Sequence, residues 1–179
     1  NKGEQNRFVF GFEESCGYLK GTYARDKDAI VASMLVCEMA ASLKKQGVTV
    51  LEALERMYAT YGFYLAKVKS IELTGADAME KAAKMMADLR DDAPASIGGA
   101  KVTVVNDYLA RTSTCVDCAT VRPIELPKSN VLEFVLGDKG SVIARPSGTE
   151  PKVKFYFTAV GASQDDAATL LDQMVAQMS

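Results

Sequence analysis

The sequence predicts two parts in succession: the closing piece of an incomplete α/β layer over residues 1–63, then an α+β unit over residues 64–179 in which strands are covered by two helices. Three observations predict this. Residues 1–62 read as one strand, a loop and two helices, too little sheet to complete an α/β domain. The rest of the chain carries several strand-like runs bracketed by two helical patterns. The composition, 48% hydrophobic and 25% charged, suits packed cores rather than disorder.

Along the first part, Arg7 to Phe12 is a short apolar, aromatic run that predicts a buried strand, with a polar loop from Glu13 to Gly17 at its end. Asp26 or Asp28 can cap a helix running to about Lys45, and Gly47 offers the left-handed residue that stops it. The run from Ala29 to Leu43 is apolar nearly all round. It is interrupted by Ser33, Glu38 and Ser42, so it predicts a helix buried on several sides and not a membrane span. Thr49 and Glu52 have the spacing of a capping box, opening a second helix that ends at Gly62. The strands missing from this layer are expected upstream.

In the second part, alternation from Leu65 to Leu73 predicts a strand, and Thr74 with Asp77 a capped helix to about Arg90. Further strands are predicted at Lys101 to Val105, Val131 to Leu136, Ser141 to Arg145 and Val153 to Val160, with a hairpin turn at Gly137-Asp138-Lys139-Gly140. Pro123 to Pro127 reads as a connection, and Ser163 with Asp166 caps a closing helix.

Charge excludes some partners. Twenty-one basic residues nearly balance 23 acidic ones, leaving a formal charge of −2, so no overall basic field favours nucleic acid. The chain begins Asn1-Lys2-Gly3 with neither an initiator Met nor a signal peptide, which predicts a cytoplasmic piece of a longer protein. Cys16, Cys37, Cys115 and Cys118 are expected to be free thiols. Cys115-x-x-Cys118 lacks the two further ligands zinc would need, and with no histidine in the chain no metal site is expected.

Two segments carry residue types suited to binding. Arg145-Pro146-Ser147-Gly148-Thr149-Glu150-Pro151 lies between two predicted strands and is followed by Lys152 and Lys154. Arg145 offers a planar fork of donors, Ser147 and Thr149 offer hydroxyls, and Gly148 lets a backbone N–H approach an anion closely. The same residues also suit a plain tight turn. Glu13-Glu14-Ser15-Cys16-Gly17 sets carboxylates beside a hydroxyl, a combination that can hold vicinal sugar hydroxyls and equally a solvated turn. Lys27 follows in Arg25-Asp26-Lys27-Asp28, where cations and acids alternate ahead of a helix; helix capping with a solvated lysine is the other reading.

Taken in order, Gly11 to Gly17, Arg25 to Asp28, and Arg145 to Lys152 resemble the sugar-binding loop, a downstream lysine segment and the phosphate loop of the α-D-phosphohexomutases, the phosphoglucomutase/phosphomannomutase family. The resemblance is strongest at Phe8 to Phe63 and Val142 to Phe157 and weak between about Ala93 and Pro127. It implies four domains around a cleft in the parent, of which this chain holds the end of the third, a sugar-binding α/β/α domain, and the whole fourth, a TATA-binding-protein-like antiparallel sheet with helices. It implies that Glu13 and Ser15 hold sugar hydroxyls. Arg145, Ser147, Gly148 and Thr149 would hold the non-reacting phosphate, with Lys154 a further ligand and Lys27 a candidate for proton transfer or charge stabilisation. The implied reaction interconverts glucose 1-phosphate and glucose 6-phosphate through a bisphosphate made by a phosphoserine, assisted by Mg2+. Phosphomannomutase, phosphopentomutase and a non-catalytic phosphosugar-binding module are the alternatives. No serine-histidine loop and no Asp-Gly-Asp-Gly-Asp loop occurs here, so the implied partners are a hexose phosphate and the parent's N-terminal domains. By itself the piece is expected to bind neither Mg2+ nor glucose 1,6-bisphosphate and to be inactive.

Overall fold

The computed structural model describes residues 7–13 and 16–178, and the chain divides into two compact units, 1–57 and 58–179. In the first unit, strands β1 (Phe10–Phe12) and β2 (Tyr18–Lys20) form an antiparallel pair in which Phe12 faces Tyr18. Helix α1 (Ala29–Lys45) starts where expected: Asp28 Oδ1 accepts the backbone N–H groups of Ile30 and Val31 at 2.9 and 3.2 Å, satisfying donors that a helix leaves unpaired. It stops at Gly47, whose φ of 68° needs no strain without a Cβ, and Val48 N–H returns to Leu43 O at 3.0 Å. Helix α2 (Val50–Tyr61) opens on the predicted capping box, with Thr49 N–H donating to Glu52 Oε2 at 2.7 Å and Glu52 N–H to Thr49 Oγ1 at 3.1 Å.

Two burial expectations for this unit fail. Phe10 and Phe12 were to lie in a buried strand, and Phe12 is 75% exposed; α1 was to be buried on several sides, and none of its residues is buried, Ile30 being 77% exposed. Apolar periodicity sets which face seeks cover, but a two-stranded sheet and two helices supply no second layer to provide it.

The second unit is built on a seven-stranded antiparallel sheet in the order β3-β11-β10-β9-β6-β7-β8. These are β3 (Phe63–Glu72), β6 (Val104–Asp107), β7 (Thr112–Cys115), β8 (Thr120–Pro123), β9 (Leu132–Val135), β10 (Gly140–Pro146) and β11 (Lys152–Gly161). A small pair, β4 (Ser96–Ile97) and β5 (Ala100–Lys101), stands apart. Helix α3 (Ala78–Asp91) packs on β10 and β11 and helix α4 (Gln164–Gln177) on β11 and β3, as a mixed fold of helices on an antiparallel sheet requires. Along β11, Val153, Phe155, Phe157 and Ala159 are buried while the residues between them are not, so one face meets Met86 of α3 and Met174 of α4 in the core. Each buried phenylalanine contributes about 1.5–3 kcal/mol by leaving water.

The predicted turn at Gly137 to Gly140 is a 3-10 turn, and α4 begins with Ser163 Oγ accepting Asp166 N–H at 3.1 Å, as its sequence indicates. Other details differ. The Thr74–Asp77 box does not form: Asp77 is itself the N-cap, makes no side-chain cap bond, and pairs with Lys81 one turn on at 2.9 Å. The single strand expected from Lys101 to Val105 is divided into β5 and β6 because Val102 N–H turns to Ala95 O and its side chain enters the core at 1% exposure. Strands β7 and β8 were not anticipated, since their sequences, Thr112-Ser113-Thr114-Cys115 and Thr120-Val121-Arg122-Pro123, lack the apolar alternation that marks a core face. Cys115 and Cys118 are joined in a disulfide and not free, because the hairpin loop between these strands brings their Cα atoms to 5.6 Å. Cys16 and Cys37 are free and exposed. Among the described residues no helix is long and apolar enough to cross a membrane.

Candidate functional site

In the second unit, antiparallel pairing sets Arg145 of β10 opposite Lys154 of β11, and residues so paired project to the same face. Burial of Ala144, Val153 and Phe155 fixes that face as the one away from the core. The loop between the strands is closed on itself, with Ser147 N–H donating to Lys152 O and Lys152 N–H to Glu150 O, both at 2.8 Å. Ser147 Oγ accepts Glu150 N–H at 3.3 Å and, more weakly, Thr149 N–H at 3.5 Å. With these N–H groups directed at its oxygen, the hydroxyl proton of Ser147 remains available to an outside acceptor.

These residues line a polar cleft of about 280 Å³ that gathers Arg145, Ser147, Gly148 and Thr149 with Lys154, together with Glu150, Lys152 and Tyr156. At Gly148 a Cβ would meet nothing within 4 Å, so the protein itself leaves the space beside that backbone open. Lys152 Nζ lies 2.6 Å from Glu150 Oε2, which holds the Glu150 carboxyl below its ordinary range and the Lys152 ammonium above its own. Among the described residues neither Arg145 nor Lys154 forms a salt bridge, although the charge of Lys154 reaches the Glu150 carboxylate and helps hold it below its ordinary range.

In the first unit, Glu13 and Lys27 come together. Glu13 N–H donates to Gly17 O at 2.8 Å, folding the loop after β1, and Lys27 Nζ stands 3.7 Å from Glu13 Oε1 and 3.1 Å from Asp26 Oδ1. Gly17 permits this approach: a Cβ there would fall 2.5 Å from Lys27 Cγ. Bonding to Asp26, with the charge of Glu13 behind it, raises the Lys27 pKa, so this side chain is a cation at neutral pH and not a base. A cleft of about 250 Å³ is lined by Glu13, Gly17, Arg25, Asp26 and Lys27 among others. Ser15 lies outside the described residues.

Sequence reasoning passed over Arg25, Glu150, Lys152 and Tyr156 as members of these clefts. Arg25 adjoins Lys27 in the segment already singled out. The alternation of β11, which puts Lys152, Lys154 and Tyr156 opposite the buried Val153, Phe155 and Phe157, is the signal that could have found the last two. Among the described residues no group of three or more His, Cys, Asp or Glu side chains is placed to hold a metal ion.

Comparison with known proteins agrees across nearly the whole chain. A family model described as the phosphoglucomutase/phosphomannomutase C-terminal domain matches residues 67–177, and another, described as alpha/beta/alpha domain III of that family, matches residues 1–61. Phosphoglucomutases of Staphylococcus aureus strains bovine RF122 / ET3-1 and MRSA252 are each 37% identical over 172 residues, covering 96% of this chain and 31% of theirs. The chain thus spans about a third of the length of these curated relatives. The crystal structure of the exocytosis-sensitive phosphoprotein pp63/parafusin (phosphoglucomutase) from Paramecium, in an open form, superposes with a TM-score of 0.60 at 21% identity, over 92% of this chain and 28% of that one. That likeness is one of fold.

Proposed function

Because the chain belongs to the phosphoglucomutase/phosphomannomutase family, we propose that it supplies the sugar-binding and phosphate-binding loops of an enzyme interconverting glucose 1-phosphate and glucose 6-phosphate through a bisphosphate. The observation that carries this reading is the pairing of Arg145 and Lys154, which form no salt bridge among the described residues, beside the open backbone of Gly148. Two cations and the Ser147 hydroxyl suit a phosphate monoester, whose charge near pH 7 is about −1.5 to −2. Thr149 adds a second hydroxyl at the same cleft.

In this reading Glu13, with Ser15, accepts from the sugar hydroxyls. Lys27, kept protonated by Asp26, stabilises charge or donates a proton at the reacting end. The chain positions substrate, and positioning converts the transfer into an effectively unimolecular step. The phosphoserine and the ligands of the Mg2+ that assists transfer belong to the N-terminal domains of the parent, so these residues alone turn over nothing. The apolar residues that β1 and α1 leave exposed, Phe12 and Ile30 among them, are in this reading the face that the remainder of the third domain would cover.

The test is conversion of glucose 1-phosphate by the complete parent, with Mg2+ and glucose 1,6-bisphosphate, compared with mannose 1-phosphate and ribose 1-phosphate. Rapid turnover of the glucose compound that is lost in Arg145→Ala supports the reading. No turnover of any sugar phosphate by folded, phosphorylated parent defeats it.

A further inference from the structure

The phosphate loop carries more positive charge than a phosphoryl group needs. Arg145, Lys152 and Lys154 all line its cleft with Glu150, the one carboxylate among the lining residues, while Glu72, opposite Lys152 on β3, adds a weaker attraction to the same ammonium. Glu150 Oε2 and Lys152 Nζ are 2.6 Å apart across Pro151, and the Lys152 side chain is only 20% exposed while that of Glu150 is 60% exposed. Their backbones are also joined, Lys152 N–H to Glu150 O at 2.8 Å, so the pair shares one tight turn. The ammonium is thereby committed inside the loop, and the loop offers outward Arg145 and Lys154, which form no salt bridge among the described residues.

We propose that Glu150 is a positioning residue that tethers Lys152 and limits the grip of the cleft to the charge of one dianionic phosphoryl group. The proposal rests on the phosphate-binding reading of the preceding section. A third free ammonium would tighten the hold on every phosphorylated species alike, and uniform tightening slows release without lowering the barrier to chemistry. Glu150 would thus set how readily a bound phosphoryl group exchanges, a role that neither its exposure nor its sign would suggest for a residue inside an anion site.

The test uses this chain and inorganic phosphate as the probe, followed by calorimetry or NMR titration. Glu150→Ala is expected to bind phosphate about tenfold more tightly than the unaltered chain, the effect of one added charge-assisted contact. The double variant Glu150→Ala/Lys152→Ala should return to within about threefold of the starting affinity, since the gain comes from the released lysine. The gain should also shrink in high salt, which a change of loop shape alone would not produce. In the complete parent, Glu150→Ala should lower kcat and KM together. Equal or weaker phosphate binding by Glu150→Ala, or a gain that persists without Lys152, overturns the proposal. The underlying reading fails separately if Arg145→Ala leaves phosphate affinity unchanged, or if neither the chain nor Glu150→Ala binds phosphate.

Discussion

Replacing Lys154 by Met tests the cleft through stability and binding at once. Arg145 and Lys154 face each other on adjacent strands and form no salt bridge among the described residues, and directly opposed like charges cost roughly 0.2–1 kcal/mol. Met retains the aliphatic stem that packs on the sheet and removes only the charge. The ligand-free variant should therefore be more stable by about 0.5 kcal/mol, a rise in Tm of about 2 °C for a unit of this size. Phosphate reverses the order. At one hundred times its Kd, phosphate adds about 2.7 kcal/mol to the unaltered chain. If losing one charged contact weakens binding about tenfold, the same concentration adds about 1.4 kcal/mol to the variant. Differential scanning fluorimetry with and without phosphate reads both quantities. A variant that is less stable without ligand, or that shows the full phosphate-induced shift, would refute the view of this pair as an unsatisfied anion clamp.

Three further outcomes follow from the same structure. Gly140→Ala should destabilise the second unit by about 3 kcal/mol or more in urea unfolding, because φ there is 119° and the new Cβ would sit 1.9 Å from the carbonyl oxygen of Thr158; a loss under about 1 kcal/mol would mean that the β9–β10 turn can relax. Phe157→Ala, removing a ring that is 1% exposed against Phe155, should cost about 3–5 kcal/mol, and a cost near zero in the same assay would show that the core refills. The Glu52 carboxyl is held below its ordinary value of 4.5 by Thr49 N–H, so its contribution to α2 is present above that value and is lost as pH falls through the lower folded pKa; an NMR titration placing Glu52 at or above 4.5 would remove the capping box from the account.

Much of the local structure was legible because short-range chemistry decides it. Asp28, Thr49 with Glu52, and Ser163 mark helix starts through bonds that span two or three residues, and Gly47 and Gly62 mark stops through their positive φ. Thr74 and Asp77 have the same signature and fail, because Asp77 finds a cation in Lys81 before it finds a backbone donor. The polar strands β7 and β8 were illegible for the opposite reason: with no core face to mark them, only pairing to β6 makes them strands.

The sequence by itself determined the two-part organisation, the identities of the cationic and hydroxyl side chains beside the loop that joins β10 to β11, and that loop itself, all of which depend on residues close together in the chain. Only the tertiary structure decided that Arg145 stands beside Lys154, that Glu150 commits Lys152, that Lys27 is held by Asp26 and Glu13, and that Cys115 is bonded to Cys118. Each of these depends on strand register or loop closure, which set distances between side chains in space, and spacing along a chain does not encode them until the backbone has folded.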